Sequence, residues 1–300
     1  MTASELHTRA MLVSLRISSW GATKEDKEVS AEVARLYGAK TESGKYTKRL
    51  MPKGKNAYQD LQSHIAAMRN ACYAQTLPWS DDGWRMLPIK NHSHFTDTMR
   101  NGSHVYDSLL ATLVSEYPTL KQQAIDDATQ QAKITGNPRR LLSDSDFPRD
   151  VFGEYSWGIE YNPVPAATDF RVSLPKDEID AIAARTEQRV RDAFQSAMTG
   201  PKGAVTRLYE VVSKIQETLA NPEGIFRDTL IGNARELCDI LTRLNVTEDP
   251  ALETLRRQTE LLAMSEPQTI RDNADVRASV ANEAQSILDA MQSTYGAIFA

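Results

Sequence analysis

The sequence predicts a mainly helical α+β protein with a small antiparallel sheet and a C-terminal helical bundle. Three observations predict it. After Pro175 the chain reads as successive amphipathic stripes separated by X-Pro steps. Residues 11–18, MLVSLRIS, alternate apolar and polar with the period of a half-buried strand. The 300 residues carry 41% hydrophobic and 25% charged side chains, a composition that can bury a core without disulfides or metal.

In the first strand Met11, Val13, Leu15 and Ile17 point one way, and Ser14, Arg16 and Ser18 the other. Trp20-Gly21 ends it. Thr23 is the expected N-cap of a helix with Glu25 and Asp26 in its first turn, where the dipole favours acids, and with Val29, Val33 and Leu36 as its apolar stripe. Residues 39–55 are irregular and basic. A helix is predicted over about 56–75, with Tyr58, Leu61, Ile65, Met68 and Cys72 on one face. The run LPWSDDGWRMLP (77–88) then reads as a loop, with Asp82-Gly83 at its turn. A further helix is predicted over about 93–116, with Pro118 starting the next. Residues 143–168 are loop-rich. DFRVSL (169–174) reads as a strand and the natural partner of 11–18, and WGIEY (157–161) as a third strand.

Beyond Pro175, Ile179, Ile182, Val190, Phe194 and Met198 line the first helical stripe, and Leu208, Val211, Val212, Ile215 and Leu219 the second. Leu237, Ile240, Leu241 and Leu244 line the third; Val276, Val280, Ile287, Leu288 and Met291 line the last. Asn221-Pro222 and Asp249-Pro250 read as N-cap plus first-turn proline pairs, since the missing proline N–H would be unpaired there anyway. Short connections imply antiparallel neighbours. The expected division is 1–174 as a mixed module and 175–300 as the bundle, or one continuous domain.

Four separated blocks, SLRISSWGATKEDKE, KRLMPK, TLPWSDDGWRMLP and DFRVSLP, occur in an order that resembles a tailed-phage and prophage family known as a domain of unknown function (number 3150). The resemblance covers roughly residues 10–180. It implies a bacteriophage protein acting in the bacterial host cytoplasm, in an accessory role beside phage ATPases. It carries no catalytic residues over to this chain.

Net charge is −5, which argues against binding nucleic acid with the whole surface. The two cysteines, Cys72 and Cys238, form no CxxC or Cys/His quartet, which excludes a zinc finger and suits a reducing compartment. No basic region followed by a long apolar run marks a leader, and no window is apolar enough for a membrane span. GxSxG and HExxH are missing, and no cofactor is implied.

Three candidate sites stand out. The basic segment 38–58 holds Lys40, Lys45, Lys48, Arg49, Lys53 and Lys55 with Tyr46 among them, cations and a ring suited to phosphates and bases. The same composition suits a solvated loop or an acidic protein partner. GAKTESGKY within it is no P-loop: one residue too many separates the glycines, and Tyr46 stands where a magnesium-binding hydroxyl is needed. Trp79, Trp84 and Arg85 are either a packing knot or a partner-binding surface. Asp81, Asp82, His92, His94 and His104 are the sparse makings of a metal site and a metal-dependent hydrolase. Two histidines two apart on a helix diverge by about 200° and cannot share an ion, whereas His92 and His94 placed just before a helix could. The leading expectation is a non-enzymatic accessory protein working through protein contacts, as adaptor or oligomeric scaffold, with a phage or host protein or itself as partner. The alternatives are nucleic-acid binding through 38–58 and the hydrolase.

Overall fold

The computed structural model describes residues 3–40, 43–80, 82–136, 141–166, 175–221 and 224–299. It is mainly α-helical with a small antiparallel sheet, the predicted class. Its contacts divide it into two compact units that are discontinuous in sequence, unlike a linear division at 174/175. Unit 1 comprises 1–15, 71–97 and 159–300; unit 2 comprises 16–70 and 98–158. Each has its own apolar core.

In unit 1, the sheet has the strand order β4 (Leu77–Pro78), β5 (Arg85–Pro88), β1 (Ala10–Ser18), β6 (Ser156–Pro163). β1 and β5 are antiparallel, with Leu12 opposite Met86 and Val13 opposite Arg85; Leu77 in turn lies opposite Met86. The loop expected at 77–88 is therefore a hairpin. Strands of two and four residues are too short to display a period of two. Leu12, Val13 and Ser14 are all buried, rather than alternate residues only, so both faces of β1 are covered there. β6 is the third strand expected around 157–161. The strand expected at 169–174 lies outside the described residues.

Leu12, Leu77 and Met86 join the core of the helical bundle. α5 (Lys176–Thr199), α6 (Ala204–Ala220), α7 (Thr229–Leu244), α8 (Pro250–Leu262), α9 (Pro267–Asp272) and α10 (Ala274–Phe299) build that bundle. α10 packs along α6, where Leu208, Val212, Ile215 and Leu219 are buried at helical spacing, as the stripe predicts. Asp249 caps α8 by accepting from Ala251 N, with Pro250 in the first turn. Asn221 ends α6 instead, and α7 starts only at Thr229. Pro222 lies outside the described residues. Asn91 is buried just before α4 (His92–Ile134); it donates to the Gln75 carbonyl at 2.8 Å and accepts from Arg243 Nε at 2.9 Å, fixing that corner to α7.

In unit 2, α3 (Ala57–Ala74) lays Leu61, Ile65 and Met68 against Tyr106, Leu110, Leu113 and Tyr117 of α4 (His92–Ile134). A Cβ on Gly102 would lie 3.3 Å from Met68 Cγ, and His64 Nε2 bonds the Gly102 carbonyl at 2.8 Å; the two helices approach closely there. Trp20 meets Tyr58 and Tyr117 edge-on, each at 5.9 Å.

Two local expectations are overturned. Thr23 is no N-cap: Thr23–Glu25 is β2, paired antiparallel with β3 (Thr47–Arg49), and Asp26 caps α2 (Lys27–Leu36) by accepting from Val29 N. α2 packs through its small residues. Ser30 and Ala34 are buried, while Val33 and Leu36 are exposed, Leu36 to 77%. Ser30 Oγ donates to the Asp26 carbonyl and accepts from Tyr46 N, which draws this face inward.

The second correction is α4, which runs unbroken through Pro118. Proline removes one helical bond and crowds the carbonyl four residues earlier. Pro118 and Val114 are both exposed, so water can take the freed carbonyl, while Leu113, Tyr117, Leu120 and Ala124 stay buried on the other side. Pro118→Ala is expected to raise stability by about 1 kcal/mol, the restored bond being partly offset by a freer unfolded chain. An unchanged urea midpoint would show that the proline is without cost at this position.

Candidate functional site

Unit 1 carries an open groove of about 770 Å³. It is built where α3 ends. The carbonyls of Tyr73, Ala74 and Thr76 emerge there with no further helical turn to receive them. Two guanidinium groups do so instead. Arg207 donates to the carbonyls of Ala74 (2.9 Å), Tyr73 (3.0 Å), Thr76 (2.8 Å) and Lys202 (3.0 Å). Arg85 donates through Nε to Thr76 Oγ1 at 2.6 Å and through Nη2 to the Thr76 carbonyl at 3.1 Å, and lies 4.7 Å over the Tyr73 ring.

Each arginine reaches this place for a local reason. Arg85 opens β5, and its hairpin is closed by Gly83 at φ +91° and by Asp82, which accepts from Ser80 Oγ and Trp84 N. Arg207 lies in the first turn of α6. The α5–α6 connection turns so tightly that a Cβ on Gly203 would sit 2.6 Å from the Met198 carbonyl. Trp84, Val211, Leu237 and Ile240 supply the apolar surface of the groove; Lys202, Glu210 and Glu236 supply further charge.

Electrostatically the site is a concentration of desolvated positive charge. Burial lowers the pKa of Arg85. Burial first, and then the charge of Arg85, bring Arg207 down to about 10. The partial negative end of α3 offsets part of this repulsion. Among the described residues neither arginine forms an ion pair with a carboxylate; Glu210 acts on Arg207 through space.

The predicted partner surface is thus divided. Trp84 and Arg85 line this groove, while Trp79 faces a smaller depression of about 290 Å³ with Arg189 and Val190. Both tryptophans also pack half-buried against the bundle core, and each lines a depression of the surface. Sequence reasoning missed Tyr73, Arg207 and the α7 residues. One signal was present for Arg207: a cation in the first turn of a helix opposes that helix's own dipole, and here it serves another helix's end.

Among the described residues of the basic segment the cations differ in exposure. Lys48 is buried, a correction to its place among the nucleic-acid-binding candidates. Its Nζ lies 2.9 Å from Asp146 and 3.5 Å from Asp26, with side-chain exposures of 9%, 8% and 12%. Cross-strand pairing of Lys24 with Lys48 brings a second cation, and Lys24 reaches Asp146 at 3.1 Å. Burial alone would raise the Asp146 pKa, but hydrogen bonds from Lys48, Ser143 N and Lys24 prevail and hold it at about 2. Of the others, Lys45 pairs with Glu25 at 3.5 Å; Lys40, Lys45 and Tyr46 border a shallow depression beside Val33 and Tyr37. Arg49 lines another depression with Glu32 and Asp127, and Lys53 and Lys55 are exposed.

Among the described residues the metal candidates do not assemble. Asp82 is spent on the hairpin turn. His92 opens α4 with its ring 6.4 Å from Tyr161, and His94 lies two residues on along the same helix, on a diverging face. His104 is exposed further along the same helix. Among the described residues no three His, Cys, Asp or Glu side chains come together as ligands; Asp81 lies outside them. No helix among the described residues is long and apolar enough to cross a membrane.

Compared with family models, curated proteins and solved structures, the chain matches none of them.

Proposed function

We propose that the chain is an accessory protein that works through protein contacts, and that the groove at the end of α3 is where a partner protein docks. The observation that carries this reading is the composition of the groove. Trp84, Tyr73, Arg85 and Arg207 converge on one concave surface with an apolar floor of Val211, Leu237 and Ile240. Tryptophan, tyrosine and arginine dominate the energetics of protein interfaces, because each buries a large area while offering directed polar contacts. The groove is also held from behind. The arginines are fixed by carbonyl acceptors, so little side-chain entropy is lost when a partner arrives.

In the setting that the sequence resemblance implies, the partner is a phage or host protein in the bacterial cytoplasm, and the chain an adaptor. A photo-reactive amino acid placed at exposed Glu236 in the groove is expected to capture one partner of defined mass in cells producing the phage proteins. The same group at exposed Lys55 of unit 2 serves as control. No adduct from Glu236, or the same adducts from both positions, would overturn the assignment of the groove.

A further inference from the structure

Resting on that docking reading, we propose that the groove selects a short amphipathic segment of its partner by a carboxylate, seated between Arg85 and Arg207, with apolar side chains laid on Trp84, Val211, Leu237 and Ile240. The argument is charge complementarity. Two guanidinium groups share the same two acceptors, the carbonyls of Tyr73 and Thr76, and so lie side by side. Two cations in one partly desolvated place repel each other unless an anion is supplied. The helix end supplies only about half a charge. Within the described residues no carboxylate forms an ion pair with either, and Glu210 acts on Arg207 only through space, so the two guanidinium groups leave room for an anion from outside.

The hydrogen-bond geometry agrees. A guanidinium has five N–H groups. Arg85 commits Nε and Nη2 to Thr76 and Tyr73, and among the described residues its Nη1 has no acceptor. Arg207 commits one N–H of Nη1, to Ala74, and keeps the other. Lys202, whose carbonyl accepts from Arg207 Nε, also lines the groove. A carboxylate suits this arrangement because guanidinium donors match its two oxygens in one plane. The apolar floor excludes a free inorganic anion as the whole ligand, since it would leave that surface wet. Glu210 and Glu236, on α6 and α7, disfavour a uniformly acidic ligand and favour a segment with one carboxylate beside apolar residues. A volume of about 770 Å³ admits several side chains rather than a domain.

The test is fluorescence anisotropy of the whole chain with two labelled peptides of about ten residues. Both carry leucines on one face; one has a central glutamate and the other glutamine in its place. The glutamate peptide is expected to bind roughly tenfold more tightly at low salt, the preference shrinking as salt rises. Arg85→Lys, which keeps the charge and loses the fork, should abolish most of the preference. Should that variant fail to fold, Lys202→Gln leaves the cap of α3 intact and should reduce the preference about threefold. Ile240→Asp should weaken both peptides. Equal binding of the two peptides would overturn the carboxylate while leaving the groove a docking surface. Binding of neither would also overturn it, and the cross-link from Glu236 would then decide the docking reading by itself.

Discussion

Lys48→Glu is expected to destabilise unit 2 by about 4 kcal/mol, the cost of breaking a buried ion cluster and leaving its carboxylates uncompensated. The wild-type Nζ is enclosed by Asp146 and Asp26 and also donates to the Leu141 carbonyl at 3.2 Å. The substitution would place a third carboxylate in the same space. Only Lys24, roughly half exposed, would remain as a counter-charge on Asp146. Hydrogen exchange is the suitable measurement, because it locates the loss: amides of α3 and α4 around Leu61 and Leu113 should exchange faster, and those of α6 should not. Uniform protection like that of the wild type would show the cluster to be dispensable. The same cluster sets an acid limit. Asp146 is held at about 2 against an ordinary 3.8, so its contribution is complete above about pH 4 and lost as pH falls toward 2. By linkage this amounts to roughly 2 kcal/mol. Any loss of nucleic-acid binding in Lys48→Glu would therefore report unfolding; the informative surface substitutions are Lys53→Glu and Lys55→Glu.

Arg207→Met is expected to cost about 2 kcal/mol. The carbonyls of Ala74 and Lys202 lose their donor, at roughly 1 kcal/mol each; those of Tyr73 and Thr76 lose one of two donors and keep Arg85, and relief of repulsion with Arg85 offsets that smaller loss. Arg207→Lys retains the charge but cannot reach Tyr73, Ala74 and Thr76 together, so about half the loss should remain. The urea midpoint of unit 1, followed by exchange of α6 amides, checks both. If methionine cost less than about 1 kcal/mol, water would be serving those carbonyls, and Arg207 would be held for a ligand rather than for the fold.

These two residues also show where sequence reasoning succeeded and where it stopped. Long stripes were legible because a period of 3.6 sustained over several turns has few alternatives. Leu61, Ile65, Met68 and Cys72, and Leu208, Val212, Ile215 and Leu219, are buried as their spacing requires, while Val211 is half-buried. The hairpin at 77–88 was not legible, because its strands are shorter than any period they could display. Nor was the continuity of α4, since whether a helical proline is tolerated depends on which side of the helix meets water. Val33 and Leu36 misled for the opposite reason: small Ser30 and Ala34 could approach the core more closely. The candidate site was half visible. Trp84 and Arg85 stood out as unusual residues, but Arg207 acquires its meaning only from the end of a helix more than a hundred residues earlier. Lys48 looked like its neighbours in composition and differs from them only in burial.

The division into units that interrupt one another in sequence has a consequence for synthesis. A ribosome delivers the chain in order, and unit 2 has all its residues once 158 has emerged. Unit 1 begins with residues 1–15 yet is completed only by the C-terminal helices. Its first strand, β1, can join the hairpin at 77–88 early. Leu12, Leu77 and Met86 must then wait, with their apolar face open, for α6 and α10 to be made. A nascent chain that folds in this order would hold one complete unit and a sheet whose apolar face is still uncovered. At that stage chaperones, or a partner already present, would have the greatest influence on its yield.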